Sequence, residues 1–81
     1  MRIVVTRDEN SIDFCAYDAE GRELAGFCCG LAWAAANQER MEKDIRQLAR
    51  TNGCQEILDP VFGGQVLTID EYLGEATTQS S

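Results

Sequence analysis

The sequence predicts an α+β domain: an antiparallel sheet in β-β-β-α-β-β order, with one long helix packed on one face and a short C-terminal helix. Three observations carry this. Residues 2–7 and 12–18 alternate apolar and polar, residues 31–52 repeat every three to four positions, and the remainder is short β-rich runs cut by Gly and Pro.

The elements follow in order. Residues 2–7 set Ile3 and Val5 against Arg2 and Thr6, the period of a half-buried strand. Asp8-Glu9-Asn10-Ser11 is a polar turn. Residues 12–18 put Ile12, Phe14 and Ala16 on one face and Asp13, Cys15 and Tyr17 on the other. Asp18-Ala19-Glu20-Gly21 is a hairpin loop, with Gly21 at the position that needs a positive φ. Residues 22–29 make a third strand, weakened by Gly26. From Leu31 the spacing of Leu31, Ala34, Gln38, Met41, Ile45 and Leu48 is that of one buried helix stripe. Glu39–Lys43 and Glu42–Arg46 support the outer face as i,i+4 pairs, and Gly53 closes the helix.

Beyond the helix, residues 54–58 read as a short strand ended by Asp59-Pro60. Gly63-Gly64 is a hairpin-type turn between Val61-Phe62 and Gln65-Val66-Leu67. Thr68 and Glu71 fit a capping box for a helix of one or two turns, stopped by Gly74. The chain is therefore one domain over residues 1–74 with a flexible polar tail over 75–81.

At 81 residues the core is thin, because a chain this short buries only about 60% of its unfolded surface. The formal charge is −7, with no histidine. That excludes the usual nucleic-acid binder, which needs Lys and Arg to displace counterions, and it disfavours an anionic membrane. It serves solubility, or it steers a basic partner. The N-terminal apolar run is too short for a signal peptide, and no stretch approaches a membrane span. The expected location is the cytoplasm, with Cys15, Cys28, Cys29 and Cys54 as reduced thiols.

No chemistry-bearing motif emerges. The cysteines form one adjacent pair and two singletons, whereas structural zinc uses ligands paired two to four residues apart, twice. Cys28 and Cys29 point to opposite faces of a strand and cannot bridge. Nucleophilic catalysis lacks its usual histidine base, and Gly63-Gly64 lacks the Lys-Ser or Lys-Thr of a phosphate loop. The expectation is a protein that is not an enzyme and uses no cofactor or metal. Trp33 lies off the helix stripe; it packs at the sheet edge or stands as an exposed binding anchor.

Charge is segregated. Residues 1–30 hold six acids and three bases, residues 31–52 three acids and four bases, and residues 53–81 five acids and no base. The negative field thus comes from the sheet, its loops and the C-terminal third.

The strands through Arg2–Cys29, the helix Leu31–Asn52 and the closing strand at Gln65–Leu67 span nearly the whole chain. In size, acidity and element order the chain resembles the small phage-encoded anti-CRISPR proteins that act on type I effector complexes. The resemblance implies an inhibitor in the host cytoplasm, monomeric or a small homo-oligomer, that binds a basic protein complex and not nucleic acid or membrane. It would dock on the Lys- and Arg-rich DNA path of an effector subunit and block target DNA. The expected contacts are Asp8, Glu9, Asp13, Asp18, Glu20, Glu56 and Asp59, with Asp70-Glu71 next and Trp33 as an anchor. Two rival functions share parts of this pattern: an antitoxin-like inhibitor of a basic nuclease, and a structural or regulatory subunit that binds through the open sheet face or Trp33.

Overall fold

The computed structural model describes residues 1–79, with side chains described through Gly74. The elements are β1 (Arg2–Arg7), β2 (Ser11–Tyr17), β3 (Glu23–Gly30), α1 (Leu31–Ala36), α2 (Gln38–Asn52), β4 (Glu56–Leu58), a 3-10 turn (Pro60–Phe62), β5 (Val66–Thr68) and α3 (Ile69–Gln79). They form one five-stranded sheet in the order β3-β2-β1-β4-β5, with the helices on one face.

The sheet is mixed, not wholly antiparallel: β4 lies beside β1 and parallel to it, with Ile3 opposite Ile57. The reason is the connection. β3 runs in the direction of β1, because each hairpin reverses the chain once. A helical crossover then returns the chain to its starting end, so the next strand keeps that direction.

Alternation decides the faces. Ile3, Val5, Ile12, Phe14, Ala16 and Ile57 are buried on the helix side and meet Ile45, Leu48 and Ala49 of α2 and Tyr72 and Leu73 of α3. On the other face, register aligns Val66, Leu58, Val4, Cys15 and Gly26 in one row across all five strands. A Cβ at Gly26 would sit 2.8 Å from the Phe14 carbonyl oxygen and 3.2 Å from Cys15 Sγ, so that row needs glycine at its end.

The expected single helix is two. Asn37 leaves helical geometry at φ −128°, ψ 47°, and its Nδ2 donates to the Trp33 carbonyl at 2.9 Å. An Asn side chain that satisfies a helix carbonyl competes with the backbone ladder. The break also turns Gln38 out to solvent, and Ala49 joins the buried stripe instead. Gly53 ends α2 in the left-handed region, as its position implied.

Three smaller expectations change. The fourth strand begins at Glu56, because the Cys54 N–H is held by the Ala49 carbonyl at 2.8 Å and continues the helix cap. Val61-Phe62 is not a strand: Pro60 starts a 3-10 turn that the Asp59 side chain caps through the Val61 N–H. Gly74 does not stop α3; its φ is not positive, and the helix continues to Gln79. The expected tail over 75–81 therefore falls on helical backbone as far as Gln79, and residues 80 and 81 lie outside the described residues.

The capping box forms as expected. Thr68 Oγ1 accepts from the Glu71 N–H and Glu71 Oε1 accepts from the Thr68 N–H, both at 3.1 Å. A Thr68→Ala variant is expected to lose about 1 kcal/mol of stability. Thermal melting checks this as a fall in Tm of roughly 4–8 °C for a domain of this size.

Candidate functional site

The α-helical layer covers the sheet unevenly. It closes completely over β1 and β2, but the inward residues of edge strand β3, namely Ala25, Phe27 and Cys29, stay half-buried. Between β3 and α2 lies an open groove of about 750 Å³. Its floor is Ala25, Phe27 and Cys29, and its far wall is Asp44, Gln47, Leu48 and Thr51 of α2. Phe27 stacks one ring face on Phe14, with centroids 5.0 Å apart, and lines the groove. Trp33 stands at the α1 end of the groove and is 40% exposed, so it neither packs away at the edge nor stands clear of the fold.

Acidic residues frame this strand. The Asp18–Arg22 turn and Glu23 lie at its N-terminal end. At its C-terminal end the Asp8–Asn10 loop is tied in by the Leu31 N–H, which donates to the Asn10 carbonyl at 2.9 Å. Asp13 pairs in register with Cys28 on the open face, and Asp44 lies on the groove wall. Six of the ten expected contacts (Asp8, Glu9, Asp13, Asp18, Glu20 and Trp33) are thus brought around β3.

Several of these carboxylates also have internal work. Asp8 accepts from the Asn10 N–H, the Ser11 hydroxyl and the Ser11 N–H, which hold its carboxyl below the usual range. Asp18 Oδ1 accepts from the N–H groups of Glu20 and Arg22 and builds the hairpin turn. Glu20 pairs with Arg22 at 3.3 Å, with both side chains largely in water.

The other expected contacts lie elsewhere. Glu56 is exposed on the open face beside Arg2. Asp70 holds Arg46 at 2.7 Å, and Glu71 serves the capping box. Asp59, expected as a contact, is instead fully buried, and the groups it binds are internal. Arg7 grips it through two hydrogen bonds of 3.1 and 2.6 Å, and Tyr72 donates its hydroxyl at 2.7 Å. Burial alone would push the Asp59 carboxyl up, but these donors and the Val61 N–H outweigh burial and hold it below its ordinary value. Burial and the carboxylate together push the Tyr72 hydroxyl far up, so it stays a donor. Sequence reading missed Asp59 as an anchor because its partners lie 52 and 13 residues away.

All four cysteines are free thiols. Cys28 is exposed, while Cys29 faces the groove with its Sγ 3.9 Å from Met41 Sδ. Burial pushes the thiols of Cys15, Cys29 and Cys54 up from the ordinary thiol range. Among the described residues no three Cys, Asp or Glu side chains converge as metal ligands, and no helix is long and apolar enough to cross a membrane. What sequence reading missed are Glu23, Phe27 and Asp44. The uncharged run Leu24–Gly30 was visible, but its place at a sheet edge was not.

No protein-family model, curated protein or solved structure matches this chain.

Proposed function

We propose that this chain is an acidic protein-binding inhibitor whose β3 side docks on a basic, nucleic-acid-binding protein surface in the cytoplasm and blocks access to it. The observation that supports this reading is the juxtaposition at β3: the uncharged run Leu24–Gly30 and a groove with an apolar floor and a largely polar far wall, with Trp33 at one end, framed by carboxylates at both ends of the strand. An apolar centre with a charged rim is the anatomy of a protein interface, and a rim of one sign selects a partner of the other. The role is binding and not catalysis. The resemblance in size, charge and element order makes a type I CRISPR effector complex the first partner to test.

The test is target-DNA binding by a purified type I effector complex as this protein is titrated in. Loss of DNA binding as the protein is added, with the association between the two proteins weakened by raised salt, supports the reading. DNA binding that is indifferent to saturating protein removes the effector as the partner.

Charge reversal probes the acidic frame. Asp18 is unsuitable, since its carboxylate builds the turn. Glu20→Lys with Glu23→Lys changes only exposed side chains. The expected result is association with the basic partner slowed by about tenfold at low salt, with the melting curve unchanged. Stopped-flow or surface-immobilised kinetics reads it, and unaltered association takes this end of β3 out of the interface.

A further inference from the structure

We infer that β3 is a docking edge for β-strand addition: the partner lays an extended segment beside β3, with alternate apolar side chains in the groove and Lys or Arg at both ends. This rests on the basic-partner reading and specifies its mode of contact.

The backbone supplies the first argument. β3 pairs with β2 on one side and with no other strand among the described residues. Every second residue therefore turns its N–H and C=O outward, a row of unpaired groups that templates another strand. Natural edges are blunted with Lys, Pro or a bulge. Leu24 through Gly30 contain no charge and no Pro, and the bulge opposite Ala16/Tyr17 falls at Leu24, which leaves Ala25–Gly30 in regular register.

The groove supplies the second. Ala25, Phe27 and Cys29 occupy alternate positions on its floor. An added strand has the same two-residue period, so every second side chain, roughly 6.8 Å apart, falls over the groove while the backbones pair. A folded surface with no free segment would leave both the floor and the outward N–H groups unfilled.

Charge chooses the occupant. Glu20 and Glu23 mark one end of β3, Asp8 and Glu9 the other, and Asp44 the wall. A second copy paired antiparallel would bring the Glu20/Glu23 end of one chain against the Asp8/Glu9 end of the other. Paired parallel, each acidic end would face itself. Like charges directly opposite destabilise a strand pair, whereas cationic ends are drawn to both.

The experiment uses the isotope-labelled protein and the synthetic peptide Lys-Lys-Val-Thr-Val-Thr-Val-Lys-Lys. The control replaces the three valines with proline, which keeps the charge and removes strand pairing. The expected result is binding of the valine peptide at least about tenfold tighter than the control, amide exchange slowed at alternate residues of Leu24–Gly30, and backbone contacts from the peptide to those residues. If both peptides bind alike with no protection of β3, strand addition is overturned and the basic-partner reading stands. If neither peptide binds, both fall. If the free protein is already a dimer with its β3 amides protected, the edge belongs to a second copy and the inference is wrong.

Discussion

An Ile45→Asp variant is expected to be unfolded at room temperature. Ile45 is fully buried, at the centre of the stripe that α2 presents to β1, β2 and α3. The substitution removes about 1.5–3 kcal/mol of apolar burial. It also leaves a carboxyl with no partner in the core, a further cost of several kcal/mol whether it ionises or takes up a proton. A domain of this length has roughly 4–12 kcal/mol in all. The sum is comparable to that total, so far-UV dichroism should show a chain without cooperative melting. Lys43→Asp, on the exposed face of the same helix, is the control and should melt within about 1 kcal/mol of the parent. A folded Ile45→Asp protein would mean that the stripe is not the core.

The second large effect is Asp59→Asn. The buried carboxylate gathers Arg7 from the end of β1, Tyr72 from α3 and the Val61 N–H, and so ties three parts of the chain together. Breaking a buried pair from one side costs about 3–5 kcal/mol. Arg7 is 37% exposed and can turn its guanidinium toward water, which lowers the expected loss to about 2–3 kcal/mol. Chemical denaturation reads this as a lower midpoint with an unchanged slope. The sign of the pH dependence follows from the folded carboxyl lying below its unfolded value of about 3.9. The stabilisation is complete above that value and is lost as pH falls through the lower folded one. The parent should therefore lose stability steeply on the acid side. The Asn variant should show a shallower slope, since the depressed carboxyls of Asp8 and Glu71 remain. Equal acid slopes would show that Asp59 is not held ionised by its partners.

Local patterns carried most of the elements. Alternation at Ile12, Phe14 and Ala16 gave the right inner face, and Thr68 with Glu71 marked the last helix, because each signal lies within a few residues. Sheet order was not local. Nothing in Cys54–Leu58 says that this strand joins β1, and that choice makes the sheet mixed and leaves β3 at an edge. The helix break at Asn37 hid inside a continuous three-four spacing in which only the polar Gln38 interrupts the apolar stripe, since one Asn is tolerated in many helices.

The candidate site was legible in part for the same reason. The acids near β3 were visible as an unbalanced N-terminal third, but the groove arises from how far α2 reaches across the sheet. Asp59 shows the opposite failure. Beside Pro60 it reads as a solvated turn residue, and its burial depends on Arg7 and Tyr72, which only the fold brings to it.

On the proposed reading the β3 side binds a basic protein surface. The most direct test captures partners on the immobilised protein from the cells that carry its gene, beside the Glu20→Lys, Glu23→Lys variant, and elutes both with rising salt. The expected result is a basic nucleic-acid-processing protein that is held by the parent, released by salt and lost from the variant. Identical capture by both proteins, or a partner that survives high salt, would contradict it and make the acidic frame a matter of solubility alone.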